Sequence, residues 1–400
     1  MDNEQYENYK NEVYEYRKKL MEEHVLNSLF FEVTLRCNAR CEHCGSSCGD
    51  TIQKDEITKE EIFKVLEDIR NAGIYDPRRI MLNITGGEPL VRKDLFEIMA
   101  YADSLGYPWG ITTNGILIDE EVVKKMAKTH MYSVSVSIDG LKETHEKFRR
   151  VPGSYEKILK GLKLMMKEPN IKVVQVTTCV NKKNIDELEE MYKMFLDMGI
   201  KHWRVIEVDP IGRALGNDDI LLDGEGFKRM FRFIKEKQLE NKMSVTYGCG
   251  HYLGNNMDYE IRHQPFICYT GVNVGCILSN GDIFVCPDVK RRPELIQGNI
   301  RKDNFMEVWE KKYKPYRTMD RTCNSTCKKC SEWKLCGGDA FHTWDFDENK
   351  PLVCPKVLFK EDYKIKEGLQ AYRKKKLSEK KNPIKKKKTS NDKKRKSKSK

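Results

Sequence analysis

The order of apolar runs along the chain predicts an α/β protein built on a parallel sheet. Three observations predict it. Between residues 29 and 210, short apolar runs alternate with amphipathic segments of helix length; the alternation repeats six times; and residues with chemistry to offer follow the C-terminal ends of the runs. Six units fit a partial (β/α)6 TIM-like barrel, in which helices cover the outside and chemistry is placed at the C-terminal ends of the strands.

The strands are expected at Phe30 to Leu35, Ile80 to Ile84, Trp109 to Thr113, Tyr132 to Ile138, Val173 to Cys179 and His202 to Val208. The helices between them are expected at Lys59 to Asn71, Lys93 to Leu105, Glu120 to Thr129, Tyr155 to Met166 and Ile185 to Met198. The first strand runs into Cys37, Cys41 and Cys44, spaced x3 and x2. The second ends in Gly86-Gly87-Glu88-Pro89, the third in Thr112-Thr113-Asn114-Gly115 and the fourth in Ser137-Ile138-Asp139-Gly140.

Four hundred residues suit one large domain and a smaller one. The expected divisions are an N-terminal helical extension over 1–28, a core domain over 29–240, a cysteine-rich domain over 241–360, and a helical end with a Lys-rich tail over 361–400. No run of 18 apolar residues exists, so no membrane span is expected. Met1 to His24 lacks the apolar stretch of a secretory signal, which points to the cytoplasm. The net charge of +12 is local. Arg373 to Lys400 holds 16 Lys and Arg against Glu379 and Asp392, whereas Met1 to Tyr372 holds 57 basic and 59 acidic residues. The tail therefore reads as disordered, and the near-neutral body argues against extended binding to nucleic-acid phosphates.

Fourteen cysteines in a cytoplasmic chain read as metal ligands rather than disulfides. A [4Fe-4S] cluster normally takes four thiolates, so the loop of Cys37, Cys41 and Cys44 leaves one iron open to a ligand that is not protein. Zinc binding, or a helical stripe at i, i+4 and i+7, is the competing reading of the same spacing. Cys48 has an accessory or structural place beyond the triad, and Cys179 reads as a buried apolar residue. Eight more cysteines lie from Cys268 to Cys354, the requirement of two fully ligated clusters; Cys-x2-Cys with two later cysteines is also a zinc-ribbon-like spacing.

The triad with the glycine loop resembles the radical S-adenosylmethionine (SAM) enzymes. The run Cys268-x12-Gly281-x4-Cys286, Cys327-x2-Cys330-x5-Cys336 and Cys354 resembles their SPASM extension. The resemblance covers about residues 29 to 356. It implies a [4Fe-4S] cluster on Cys37, Cys41 and Cys44 whose open iron chelates SAM, and a 5'-deoxyadenosyl radical formed by one-electron cleavage. It also implies one or two auxiliary iron–sulfur clusters and an external electron donor of flavodoxin or ferredoxin type. Gly86, Gly87, Glu88 and Pro89 correspond to the segment that meets the SAM amino group, Asn114 and Ser137 to adenosyl contacts, and Arg149 to the arginine that pairs the SAM carboxylate. Arg150 is the alternative to Arg149. His43 stands where the family usually has an aromatic residue.

Cys327, Cys330, Cys336 and Cys354 make a full set for the distal auxiliary cluster. For the proximal one Cys268 and Cys286 are joined by Cys249, Cys276 or Cys323, because Ala340 stands where the family has a further cysteine. SPASM-bearing relatives mostly modify peptides or proteins, so the resemblance implies a maturase of a peptide or protein substrate. The alternatives are a sulfatase-maturase-like formation of formylglycine and a non-catalytic iron–sulfur electron carrier. Pro287 rather than aspartate after Cys286 weighs against the first. The 28 residues before the barrel are too few for a fused leader-binding domain, so recognition is expected from the barrel or a separate partner.

Overall fold

The computed structural model describes residues 3–50, 53–248, 250–352 and 354; Cys249 and the Lys-rich segment from Arg373 lie outside them. Helix α1 (Asn3–Glu23) leads into β1 (Ser28–Glu32), and the chain then alternates through α2 (Lys59–Ala72), β2 (Met81–Thr85), α3 (Leu95–Ser104), β3 (Trp109–Thr113), α4 (Glu120–Lys128) and β4 (Ser133–Ser137). It continues through α5 (Lys142–Arg149), α6 (Ser154–Lys167), β5 (Val173–Val180), α7 (Leu188–Met198), β6 (His202–Glu207), α8 (Gly224–Glu240) and β7 (Ser244–Tyr247). Strands β1 to β7 pair in sequence order and all in parallel. This is the expected α/β barrel with helices outside, carrying a seventh strand and the helices α5 and α8 that the sequence pattern did not mark.

The strands alternate in character because the two faces of the sheet differ. Leu29, Phe31, Leu82, Ile84, Val134, Val136, Trp203 and Val205 are almost fully buried and pack in the apolar core. The alternate positions are polar and bond to each other: Asn83 Nδ2 donates to Ser28 Oγ at 2.6 Å, the Ser135 and Thr177 hydroxyls meet at 2.6 Å, and Arg204 Nε donates to Thr177 Oγ1 at 3.2 Å. Helix α2 shows how local sequence fixes element ends. Thr58 and Glu61 form a capping box at its start, and Gly73 at φ 66° closes it in the left-handed region.

The C-terminal region adds three strands to the barrel sheet, besides a separate two-stranded ribbon of Trp344–Asp345 with Lys350–Pro351. Strand β8 (Val274–Ile277) pairs in parallel with β1, and β9 (Asp282–Phe284) and β10 (Gly298–Asn299) follow antiparallel, making one ten-stranded sheet. A boundary after residue 240 thus falls within a continuous sheet. Helix α1 docks on the C-terminal region: Arg17 donates to the carbonyls of Phe266 (3.2 Å) and Leu335 (2.6 Å), and Tyr6 donates to Glu332 (3.0 Å). Among the described residues, no helix is long and apolar enough to cross a membrane.

Candidate functional site

Strand β1 ends at Glu32, short of the expected Leu35, because the backbone beyond it serves the loop after β2. Thr34 and Arg36 accept from the N–H groups of Gly87 (2.8 Å) and Glu88 (2.9 Å). The cysteine loop that follows is fastened on several sides. The Cys37 N–H donates to Gly49, the Glu42 N–H donates to Phe148, and Arg213 sends Nε to the Cys41 carbonyl (2.7 Å) and a second nitrogen to the Cys48 carbonyl (2.8 Å). Gly212 sits at φ 55°, and a Cβ there would lie 2.3 Å from the carbonyl oxygens of Cys44 and Gly45. Gly212 and Arg213 were not marked by the sequence reading. Their signal is a Pro-Ile-Gly-Arg run just past the end of the sixth strand.

The donor set suits a cluster. Cys37 Sγ accepts from the Ala39 N–H and Cys44 Sγ from the Cys48 N–H, each at 3.4 Å. The Cys48 thiol, its N–H and Arg213 hold the Cys44 thiol at about 6 despite its burial. Burial pushes Cys37 up to about 11 and Cys41 upward, a cost that a bound cation removes. Cys48 is thus a supporting residue of the triad loop.

The glycines of the second motif are required by close approach. A Cβ on Gly86, at φ 154°, would lie 2.3 Å from the Thr34 carbonyl oxygen, and one on Gly87 would lie 2.3 Å from that of Arg36 and 2.9 Å from Cys37 Cβ. The buried carboxylate of Glu88 accepts from Thr113 Oγ1 (2.8 Å), the Leu90 N–H (3.1 Å) and the Asn114 N–H (2.7 Å). It thereby braces the turn after β3, and Pro89 is buried beside it. Asn114 Nδ2 donates to Asn38 Oδ1 at 2.7 Å, inside the cysteine loop. Ser137 ends β4 half-buried on the same rim.

Arg149 is buried, whereas Arg150 is exposed and left-handed at φ 57°. The Arg149 guanidinium donates to Asp139 Oδ2 through Nε at 2.8 Å and through a terminal nitrogen at 2.7 Å. Burial raises the Asp139 carboxyl, but Arg149 together with His43, His145 and the Cys179 N–H outweighs it and holds the group below its ordinary range. Asp139 Oδ1 accepts the Cys179 N–H at 2.8 Å, so Cys179 supports this pair through its backbone. His43 fills the family's aromatic position: its ring stacks on Phe148 with centroids 4.6 Å apart.

In the C-terminal region Cys327 lies within electrostatic reach of Cys330 and Cys354, and Cys323 within reach of Cys327. Cys336 follows in the same segment. Cys268 Sγ accepts the Phe341 N–H at 3.4 Å, so the backbone next to Ala340 rests on the proximal thiolate. Cys286 lies 4.0 Å from Asp288 Oδ2. Cys276 is fully buried on β8 in the apolar core, and burial pushes its thiol well up.

Between barrel and C-terminal region lies a buried polar cluster that sequence reasoning missed. Glu207 and Asp209 come from the end of β6, His251 from the segment after β7, and Asp339 and His342 from the loop after Cys336. Beside it opens a cavity of about 580 Å³. Gly45 and Ser46 of the cysteine loop, Ile211, Asp288, His342 and Trp344 are part of its wall. Its cations are already matched. Arg291 pairs with Glu32, Lys290 with Asp347 at 3.2 Å, and Arg292 with Asp347 at 2.7 Å and Glu294 at 2.5 Å.

Comparison with known proteins agrees with this geometry. Residues 31–195 match the model of the Radical SAM superfamily, and residues 268–331 that of SPASM, an iron–sulfur cluster-binding domain. The chain is 28% identical over 320 residues to the AdoMet-dependent heme synthase of Methanosarcina barkeri (strain Fusaro / DSM 804), covering 77% of this chain and 89% of that protein. It is 24% identical over 312 residues to the mycofactocin maturase MftC of Mycolicibacterium smegmatis, covering 78% and 76%. Among solved structures, anSMEcpe with bound AdoMet superposes with a TM-score of 0.67 at 20% identity, over 89% of this chain and 100% of that one. The thiolate triad and the glycine loop lie within the Radical SAM match and Cys268, Cys286, Cys327 and Cys330 within the SPASM match, so the chain carries a Radical SAM domain followed by a SPASM domain.

Proposed function

We propose that the substrate is a peptide or protein segment, bound in the 580 Å³ cavity between the cysteine loop and the SPASM domain. The observation that carries this reading is the charge state of the cavity wall. A peptide backbone brings neutral amides, which suit a site whose Lys290, Arg291 and Arg292 are already paired with carboxylates of the chain. A ligand rich in carboxylates would have to displace those pairs.

Cys37, Cys41 and Cys44 hold the cluster, and the rim of Gly86 to Pro89, Asn114, Ser137 and Arg149 faces SAM. Bound there, cluster and SAM supply an electron and a carbon-centred radical able to remove a hydrogen atom from an unactivated carbon. The chain's own part is positional. Glu88 fixes the turn that presents Asn114, Asp139 fixes Arg149, and Ile211 with the cysteine loop closes the cavity on the cluster side. Cys268 and Cys286 at the proximal site and Cys327, Cys330, Cys336 and Cys354 at the distal site hold the auxiliary clusters. In the proposed reading these take up the electron left after the substrate radical closes. Electrons reach the enzyme from a flavodoxin- or ferredoxin-type donor in the cytoplasm.

A second reading, a haem-type tetrapyrrole substrate, is favoured by the name of the Methanosarcina relative. The two separate in one assay. Anaerobically reconstituted enzyme with SAM and dithionite is offered pools of peptides or an iron porphyrin, and 5'-deoxyadenosine is counted. Stimulation by peptides supports the proposal; stimulation by the porphyrin alone overturns it. If only peptides with Cys or Ser respond, and gain an aldehyde, the sulfatase-maturase-like alternative holds.

A further inference from the structure

Glu207, Asp209 and His251 each have one functional atom held by a residue outside their group and one buried without a hydrogen-bond partner. Glu207 Oε1 accepts from the Tyr247 hydroxyl at 2.5 Å, and Asp209 Oδ2 faces His342 Nε2 at 3.3 Å. His251 Nδ1 lies 2.7 Å from Asp339 Oδ2. Asp339 also accepts from the Tyr252 N–H (2.6 Å) and the Thr343 hydroxyl (3.2 Å), so it acts as an acceptor and Nδ1 donates to it.

Glu207 Oε2, Asp209 Oδ1 and His251 Nε2 are buried without a hydrogen-bond partner, Glu207 Oε1 lies 3.6 Å from His251 Nε2, and the three side chains offer ligand atoms lying within 4.8 Å of one another. His251 Nε2 approaches Asp209 Oδ1 at 3.2 Å, yet the pair lacks the alignment of a hydrogen bond. With only 2% of its side chain exposed, the imidazole cannot turn to water instead. Carboxylates gathered around one ring in a dry interior need a positive charge among them, supplied either by a proton on the imidazole, which Asp339 and Asp209 favour against the effect of burial, or by a metal ion in its place. A histidine whose other nitrogen donates to a carboxylate is the usual arrangement at a bound metal.

We infer that Glu207, Asp209 and His251 form a mononuclear site for a first-row divalent cation such as zinc, separate from the iron–sulfur clusters. Asp339 orients the imidazole from the SPASM side. The two oxygens and one nitrogen suit such an ion and not a cluster, which takes thiolates. The site ties the end of β6 to the segment after β7, with His342 between the metal and the cavity.

The experiment uses full-length, anaerobically reconstituted enzyme equilibrated with Zn²⁺, dialysed, and measured for zinc, iron and sulfide. About one zinc per chain should remain beyond the cluster iron. Its X-ray absorption shell should hold only nitrogen and oxygen, near the roughly 2.0–2.2 Å typical of such ligands. Glu207→Gln and His251→Gln should lose the zinc with iron and sulfide unchanged. Asp339→Asn should weaken zinc binding about ten- to a hundredfold. No retained zinc, a shell containing sulfur, or zinc undiminished in the variants overturns the inference. Should the variants fail to fold, the shell of the unaltered protein decides it.

Discussion

Cys37, Cys41 and Cys44 leave one short loop at the end of a single strand, and the neighbouring strand ends hold that loop by its backbone. Gly87 and Glu88 N–H groups reach its entry, Arg213 caps its carbonyls, and Gly212 leaves room for them. The proximal auxiliary site is assembled otherwise. Cys268 and Cys286, the pair proposed for the proximal cluster, flank the β8–β9 hairpin, and the segment around Ala340 brings the Phe341 N–H to Cys268. A site made by one loop has its ligand count written in local spacing. A site made by segments more than fifty residues apart depends on how they dock, so one substitution alters its ligand count without disturbing the fold.

The comparison can be broken most sharply at the triad. Changing Cys37, Cys41 and Cys44 together to Ala should remove about four of roughly twelve irons and abolish reductive SAM cleavage while the auxiliary iron stays. Iron and cleavage counted on the same sample check this. Loss of all iron would show that the two regions do not load independently.

Next is the clamp on the loop. Arg213→Ala leaves two carbonyls without their charged donor, costing about 2 to 3 kcal/mol, and should speed iron release to a chelator from the SAM-binding cluster only. Equal release in variant and parent would mean that the loop holds its own shape.

Ala340→Cys tests the other region by restoring the absent thiolate beside Cys268. Auxiliary iron should then leave more slowly under chelation, with uncoupled SAM cleavage unchanged. A variant that folds yet releases iron as before would show that the fourth position is filled from elsewhere, Cys249 being the foremost candidate.

The smallest effect is expected at the cavity mouth. Asp347→Asn removes an exposed, solvent-screened partner of Lys290 and Arg292 and should leave the melting temperature nearly unchanged. Under the peptide reading it frees Lys290 and leaves Arg292 to Glu294 alone, so affinity for an acidic peptide should rise at low salt and the gain should fade at high salt.

The βα alternation, the thiolate triad and the glycine motif were legible in the sequence because each rests on a local rule: apolar periodicity, ligand spacing within one loop, and the absence of a Cβ. Five of the six expected strands lie within one residue of their observed bounds, and β1 alone ends three residues early, where its backbone is diverted to the loop after β2. Local rules were silent on β7, whose four residues make too short a run, and on the joining of β8 to β1 into one sheet. They could not say that Arg149 rather than Arg150 points inward, which the packing of α5 decides. Nor could they bring Glu207, Asp209, His251, Asp339 and His342 together. Those residues span more than 130 positions of the chain, and only the docking of the SPASM domain on the barrel places their charges within bonding distance.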